Sequence, residues 1–194
     1  MKKLFSVLLA ALSLMSYALI YAETVNTELS SGLLRMHIIA NSDSEEDQSI
    51  KLGVRDFVSK GLSDCGILPS SPEYVQKAEL LANEYLGELC VPYSAKASKE
   101  RVFIPKKSYK NITLPSGRYN AIRLVLGDGE GQNWWCVAYP PLCFTEDFDG
   151  ALSENGEGVL KENISEEAYS LISGDVRYRL LIVDVIGGII GKIE

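Results

Sequence analysis

The apolar residues of this chain change their period at Pro92, and that change narrows the fold more than any other feature. Between Glu45 and Lys60, Ile50, Val54, Phe57 and Val58 fall on one face at helical spacing. Between Pro72 and Cys90, Val75, Ala78, Ala82, Tyr85 and Leu89 do the same. Beyond Pro92 the pattern shortens. Arg101 to Lys106 reads as a short strand, and Arg118 to Leu126 carries apolar residues on both alternating faces, as a central strand does. Asn133 to Tyr139 reads as the returning strand, with Gly127-Asp128-Gly129-Glu130-Gly131 as a tight hairpin turn. Ahead of the helices, Leu33 to Ala40 (LLRMHIIA) is a compact strand buried on at least one face. Two helices bracketed by strands make an α+β fold: a mainly antiparallel sheet, two N-terminal helices packed on one face, and an apolar C-terminal element.

Local punctuation sets the boundaries. Asn41 to Ser44 is a turn, and Asp43 with Glu46 three residues on predicts a capping box for the first helix. Gly61 suits the left-handed residue after that helix, and Ser71-Pro72 starts the next. Residues 33–194 form one α+β domain, within which the acidic, glycine-bearing stretch 145–164 is expected to be a mobile loop. Ser165 to Ile172 reads as helix. Arg177 to Ile193 is strongly apolar. Its β-branched residues permit a strand and its three glycines weaken a helix, so its type stays open.

Residues 1–22 differ from the rest. Lys2 and Lys3 precede an uncharged run from Leu4 to Ile20, and Tyr21-Ala22-Glu23 follows. That is the pattern of a secretory signal, cleaved after Ala22 or retained as an anchor; Ile20 is bulky for a cleavage site. Either way the N-terminal segment engages the membrane during export, and residues 23 onward lie outside the cytoplasm, with 23–32 as a polar lead-in. Removing Lys2 and Lys3 from 19 basic residues leaves 17 against 26 acids, a charge of −9, which argues against nucleic acid as a partner.

Four cysteines in an exported chain allow three pairings or four free thiols. The simplest pairing is Cys65–Cys90 and Cys136–Cys143. Their spacings and the lone His37 do not match zinc sites, and no other metal or cofactor is expected. The Gly127–Gly131 loop lacks the GK[ST] ending of a phosphate loop and the acid spacing of an EF-hand. Its glycines suit close approach by another backbone. Carboxylate pairs such as Asp147 with Asp149 stand in no apolar setting that would raise a pKa. Trp134 and Trp135 alternate across a strand, so at most one faces the core, and the other is exposed or covered by a loop. Tyr139-Pro140-Pro141-Leu142 beside them is a stiff presented loop. A catalytic histidine would have to be His37, on the strand face of Arg35 and Ile39.

Leu33–Asp56 (LLRMHIIANSDSEEDQSIKLGVRD) and Gly117–Phe144 (GRYNAIRLVLGDGEGQNWWCVAYPPLCF) together resemble the stage II sporulation protein R family of endospore-forming bacteria. The matching motif residues are His37, Ile39, Ala40, Asn41, Ser42, Asp43, Trp134, Trp135, Cys136, Pro141 and Cys143. The resemblance implies a non-catalytic signalling protein exported into the space between forespore and mother-cell membranes. There it would activate a membrane-embedded aspartic-type protease, of the stage II sporulation protein GA type, that processes the pro-form of the early mother-cell sigma factor. The expected contact residues are Trp134, Trp135, Tyr139, Pro140, Pro141 and Leu142, with His37, Asn41, Ser42 and Asp43 at the strand end. The competing readings are a secreted cell-wall or thiol-dependent hydrolase using Cys136 or Cys143 with His37, and a peptidoglycan-binding module.

Overall fold

The computed structural model describes residues 2–109, 112–140, 154–174 and 177–193. Helix α1 (Lys2–Gly32) leads into strand β1 (Leu34–Ile39) and helices α2 (Glu45–Asp64) and α3 (Pro72–Glu88). Strands β2 (Ala95–Ile104), β3 (Lys107–Tyr109), β4 (Ile112–Leu114), β5 (Gly117–Leu126) and β6 (Asn133–Tyr139) follow. Helices α4 (Glu154–Asn163), α5 (Glu166–Ile172) and α6 (Arg177–Ile193) complete the order. The fold is α+β, as the change of period predicts.

The main sheet has the order β2-β5-β1-β6, and β3 pairs with β4 in a separate ribbon. β2 runs antiparallel to β5 and β6 antiparallel to β1, while β1 and β5 are parallel. The sheet is therefore mainly but not purely antiparallel. The expected β5–β6 hairpin does not form, because β1 lies between the two strands. All six residues of β1 are buried. Such a strand needs hydrogen-bonding neighbours on both edges, since water cannot satisfy its backbone. β2, carrying Lys96, Lys99 and Arg101, takes an outer position suited to charge. The Asn83 side chain from α3 completes that edge, donating to Ala95 O and accepting from Ala95 N.

The sheet separates two cores. Leu34, Met36 and Ile38 of β1 face α2 and α3 through Val54, Val58, Leu81 and Leu86. The opposite face packs under α1, α5 and α6, with Val25, Leu29, Tyr119, Val137, Leu171 and Val183 buried together. Two expectations are corrected on that side, and one open element is assigned. The lead-in at 23–32 is the last part of α1: Ala22, Val25 and Leu29 recur on one helical face and are buried. Within 145–164, residues 154–163 are helix α4, and 145–153 lie outside the described residues. The apolar C-terminal element is a helix. Gly187 is what lets it seat: a Cβ there would stand 2.3 Å from Ser116 O and 2.6 Å from Asn26 Nδ2.

The helix boundaries also move. Ser44, not Asp43, caps α2 by accepting from Asp47 N. α2 continues past Gly61 to Asp64, and Gly66 takes the positive φ beyond it.

Candidate interaction site at the tryptophan pair

β1 ends at a junction where three segments meet. Asp47 is the third residue of α2, and its carboxylate is buried. It accepts from Asn41 Nδ2 at 2.9 Å, Ser42 Oγ at 2.5 Å and Tyr93 Oη at 2.6 Å. Burial alone would raise its pKa. The hydrogen bonds from Ser42, Tyr93, Asn41 and Ser44 outweigh that and hold it below the usual carboxylate value. Tyr93 is pushed well above its ordinary value by burial and by that carboxylate.

The connection from β5 to β6 folds across this junction. Glu130 N donates to Asn41 O at 3.1 Å, Gly131 N to Ala40 O at 3.0 Å and Asp128 N to Asn41 Oδ1 at 3.0 Å. A Cβ on Gly131 would meet Ser42 O at 2.2 Å. The expected close approach by another backbone is thus met by a crossing over the end of β1, not by a hairpin. Asn41 and Ser42 spend their polar groups inside this junction. Asp43 is exposed.

β6 carries the tryptophans as the next residues along. Both are partly buried, on opposite faces of the sheet. Trp134 packs toward α2, with the Arg55 guanidinium 4.7 Å from its ring centre. Arg55 also binds Asp56 through two hydrogen bonds, of 2.7 and 2.9 Å. Trp135 stacks on His37 with ring centres 3.6 Å apart and planes at 13°. His37 Nε2 donates to Asn133 Oδ1 at 2.6 Å, while Nδ1 is buried without a partner among the described residues. Burial lowers the His37 pKa, and the Arg123 charge adds to that. The Asn133 bond and Glu100 oppose it without prevailing. Beside His37, fully buried Arg35 donates to Cys136 O at 3.0 Å and lies 5.0 Å from the Tyr119 ring centre.

Between α2, β3 and β6 lies a cleft of about 380 Å³, lined by Lys51, Leu52, Lys107, Gln132 and both tryptophans. The sequence predicts that at most one tryptophan faces the core; instead each packs against one of the two cores, because the sheet is covered on both faces, and both still border the cleft. The sequence does not reveal Lys51, Lys107 or Asp47. Asp47 had a local signal, an acid three residues after a serine cap, and Lys51 follows one turn later on the same helix. Lys107 reaches the cleft only through tertiary packing.

The remaining expected residues divide. Tyr139 is half-buried against the first core and Pro140, after a cis bond, is buried. Neither is part of an exposed loop. Pro141, Leu142 and Cys143 lie outside the described residues. Cys65 and Cys90 are free thiols, so the expected Cys65–Cys90 bridge is absent. The reason is geometric: α3 lies between them, and its 17 residues span about 25 Å. Cys136 pairs in register with Met36 and belongs to the first core, whereas His37 faces the second. A Cys136–His37 dyad is excluded by that alternation.

A profile of the stage II sporulation protein R family matches residues 30–149, which include the β1 end, the junction and both tryptophans. The chain belongs to that family. It is 36% identical to stage II sporulation protein R of Bacillus subtilis (strain 168) over 143 residues, or 70% of this chain and 61% of that relative. It thus spans less than two thirds of the relative's length. No solved structure matches. Within this family member, the matched region is the sheet with α2, α3 and the cleft; α5 and α6 fall outside it.

Proposed function

We propose that the chain is an exported signalling protein that acts by binding, not catalysis. Its receiver is a membrane-embedded aspartic-type protease of the stage II sporulation protein GA type, which processes the pro-form of the early mother-cell sigma factor. The site of action is the space between forespore and mother-cell membranes. The observation that carries the reading is the cleft. Two adjacent aromatic residues, a feature favoured at binding interfaces, flank it within the family-matched region. Export is supported by α1, whose first part is a helix long and apolar enough to cross a membrane. That segment engages the membrane during export. A Cys136–Cys143 bridge would anchor the loop after β6 to the core.

Activation requires the ligand to bind the active state of the protease more tightly than the inactive one. The test replaces Trp134 or Trp135 by Ala in a spore former and follows pro-sigma processing. Loss of processing with export and folding intact is the expected result. Normal processing in both variants would sink the proposal.

A further inference from the structure

We infer that the cleft receives a carboxylate-bearing segment of the partner protein, an acidic residue flanked by an apolar one, with Lys51 and Lys107 holding the carboxylate. This deepens the binding reading above and rests on it.

Lys51 is the decisive residue. It is 4% exposed, yet among the described residues its Nζ is bonded only to neutral oxygens, Gln48 Oε1 at 2.5 Å and Gln132 O at 3.1 Å. No carboxylate among the described residues lies within ion-pair distance of it. Two of the three ammonium donors are used. Burial disfavours its charged form, Asp43 nearby favours it, and Arg55 works against it. An ammonium kept out of water without a counter-charge is costly, and a methionine would fill the space without that cost. The cation borders the cleft, where a ligand carboxylate supplies what the fold withholds.

Lys107 brings a second cation from the separate ribbon to the same cleft. The chain as a whole carries −7, so the two lysines run against the general sign of the molecule. An acidic partner is repelled by most of this surface and attracted at this point, which gives orientation as well as binding. Leu52, 37% exposed, and the tryptophan rings supply the apolar wall beside the cations. A volume of about 380 Å³ admits a few side chains, not a whole helix.

The experiment uses cells that make the full chain, the protease and its sigma-factor substrate. Lys51→Met and Lys107→Glu are each expected to lower processing roughly tenfold or more, the loss of a charge-assisted contact, while Lys51→Arg retains most of it. Lys51→Met should also unfold at or above the wild-type temperature. If wild type triggers no processing, the binding reading itself fails. If wild type does, and Lys51→Met and Lys107→Glu match it, only the carboxylate inference is overturned. Lys107→Glu, at a half-buried site in the short ribbon, keeps the test decisive should Lys51→Met fold poorly. Replacing acids in the exported segments of the protease by lysine should restore signalling to Lys107→Glu at one position; restoration at none overturns the inference. Lysine-dependent retention on purified cell walls, with processing unchanged, would assign the cleft to a wall ligand and overturn it too.

Discussion

Replacing Asp47 by alanine should unfasten the junction at the end of β1. The substitution strands three donors, the Asn41 amide, the Ser42 hydroxyl and the Tyr93 hydroxyl, and removes one of the three acidic residues in the first turn of α2. Each donor left unmatched costs about 1–3 kcal/mol, less where it can reach water. All three bonds are partly buried, so a net loss of about 4 kcal/mol is expected, within the range for breaking a buried charged network. For a chain of this size that lowers Tm by roughly 8–16 °C. Thermal unfolding of purified protein measures it, and Tyr93→Phe combined with Asp47→Ala tests the coupling, expected at about 0.5–3 kcal/mol. The pH dependence follows in sign. The folded pKa is depressed below the ordinary 3.8, so the stabilisation is fully present above that value and is lost as pH falls through the folded one. Asp47→Asn should flatten this acid limb. A loss of under about 1 kcal/mol in Asp47→Ala would refute the assignment of Asn41 and Ser42 to the fold.

Other outcomes are equally direct. His37, the only histidine, should titrate below 6.5 by NMR; because its folded pKa is lowered, its share of stability declines as pH falls below 6.5, and His37→Phe should remove that sensitivity. Gly131→Ala should cost about 2 kcal/mol or more in urea unfolding, since the Ser42 carbonyl cannot move aside without breaking the junction. Ile122→Ala, in the middle of β5, should cost about 3–4 kcal/mol by the same measurement. Iodoacetamide should label exposed Cys90 in the native protein well before Cys65, whose thiol donates to Leu62 O.

What the sequence revealed was local. Ser71-Pro72 opened α3, and the runs in Leu33–Ala40 and Arg118–Leu126 marked two strands, the second as central, because apolar residues on both alternating faces leave a mark in composition. The sheet order was not legible. Gly127–Gly131 has the chemistry of a hairpin turn, and nothing nearby announces that a strand from residues 34–39 will enter between its arms. The C-terminal helix was obscured by Gly187, whose helix-weakening character is the condition for packing on Ser116. Cys65 and Cys90 looked paired because cysteine spacing ignores the straight rod between them. At the site, the tryptophans stood out by rarity. Lys51 did not, since an exposed helical lysine and a buried uncompensated one look alike until the β5–β6 connection covers one of them.

The placement of β1 also sets the order of assembly. Met36 meets Cys136, and Arg35 reaches a carbonyl 101 residues away. The sheet therefore cannot close until β6 has been released, although α2 and α3 can form and pair earlier from contacts within their own stretch. High contact order slows folding. If the chain is exported as proposed above, threading as an extended polymer, that slowness would be protective: no tight sheet could lodge in the channel while the last strand is still on the other side. The same arrangement ties the cleft to the release of β6, so a chain cut before Asn133 would lack two of its walls, Trp134 and Trp135.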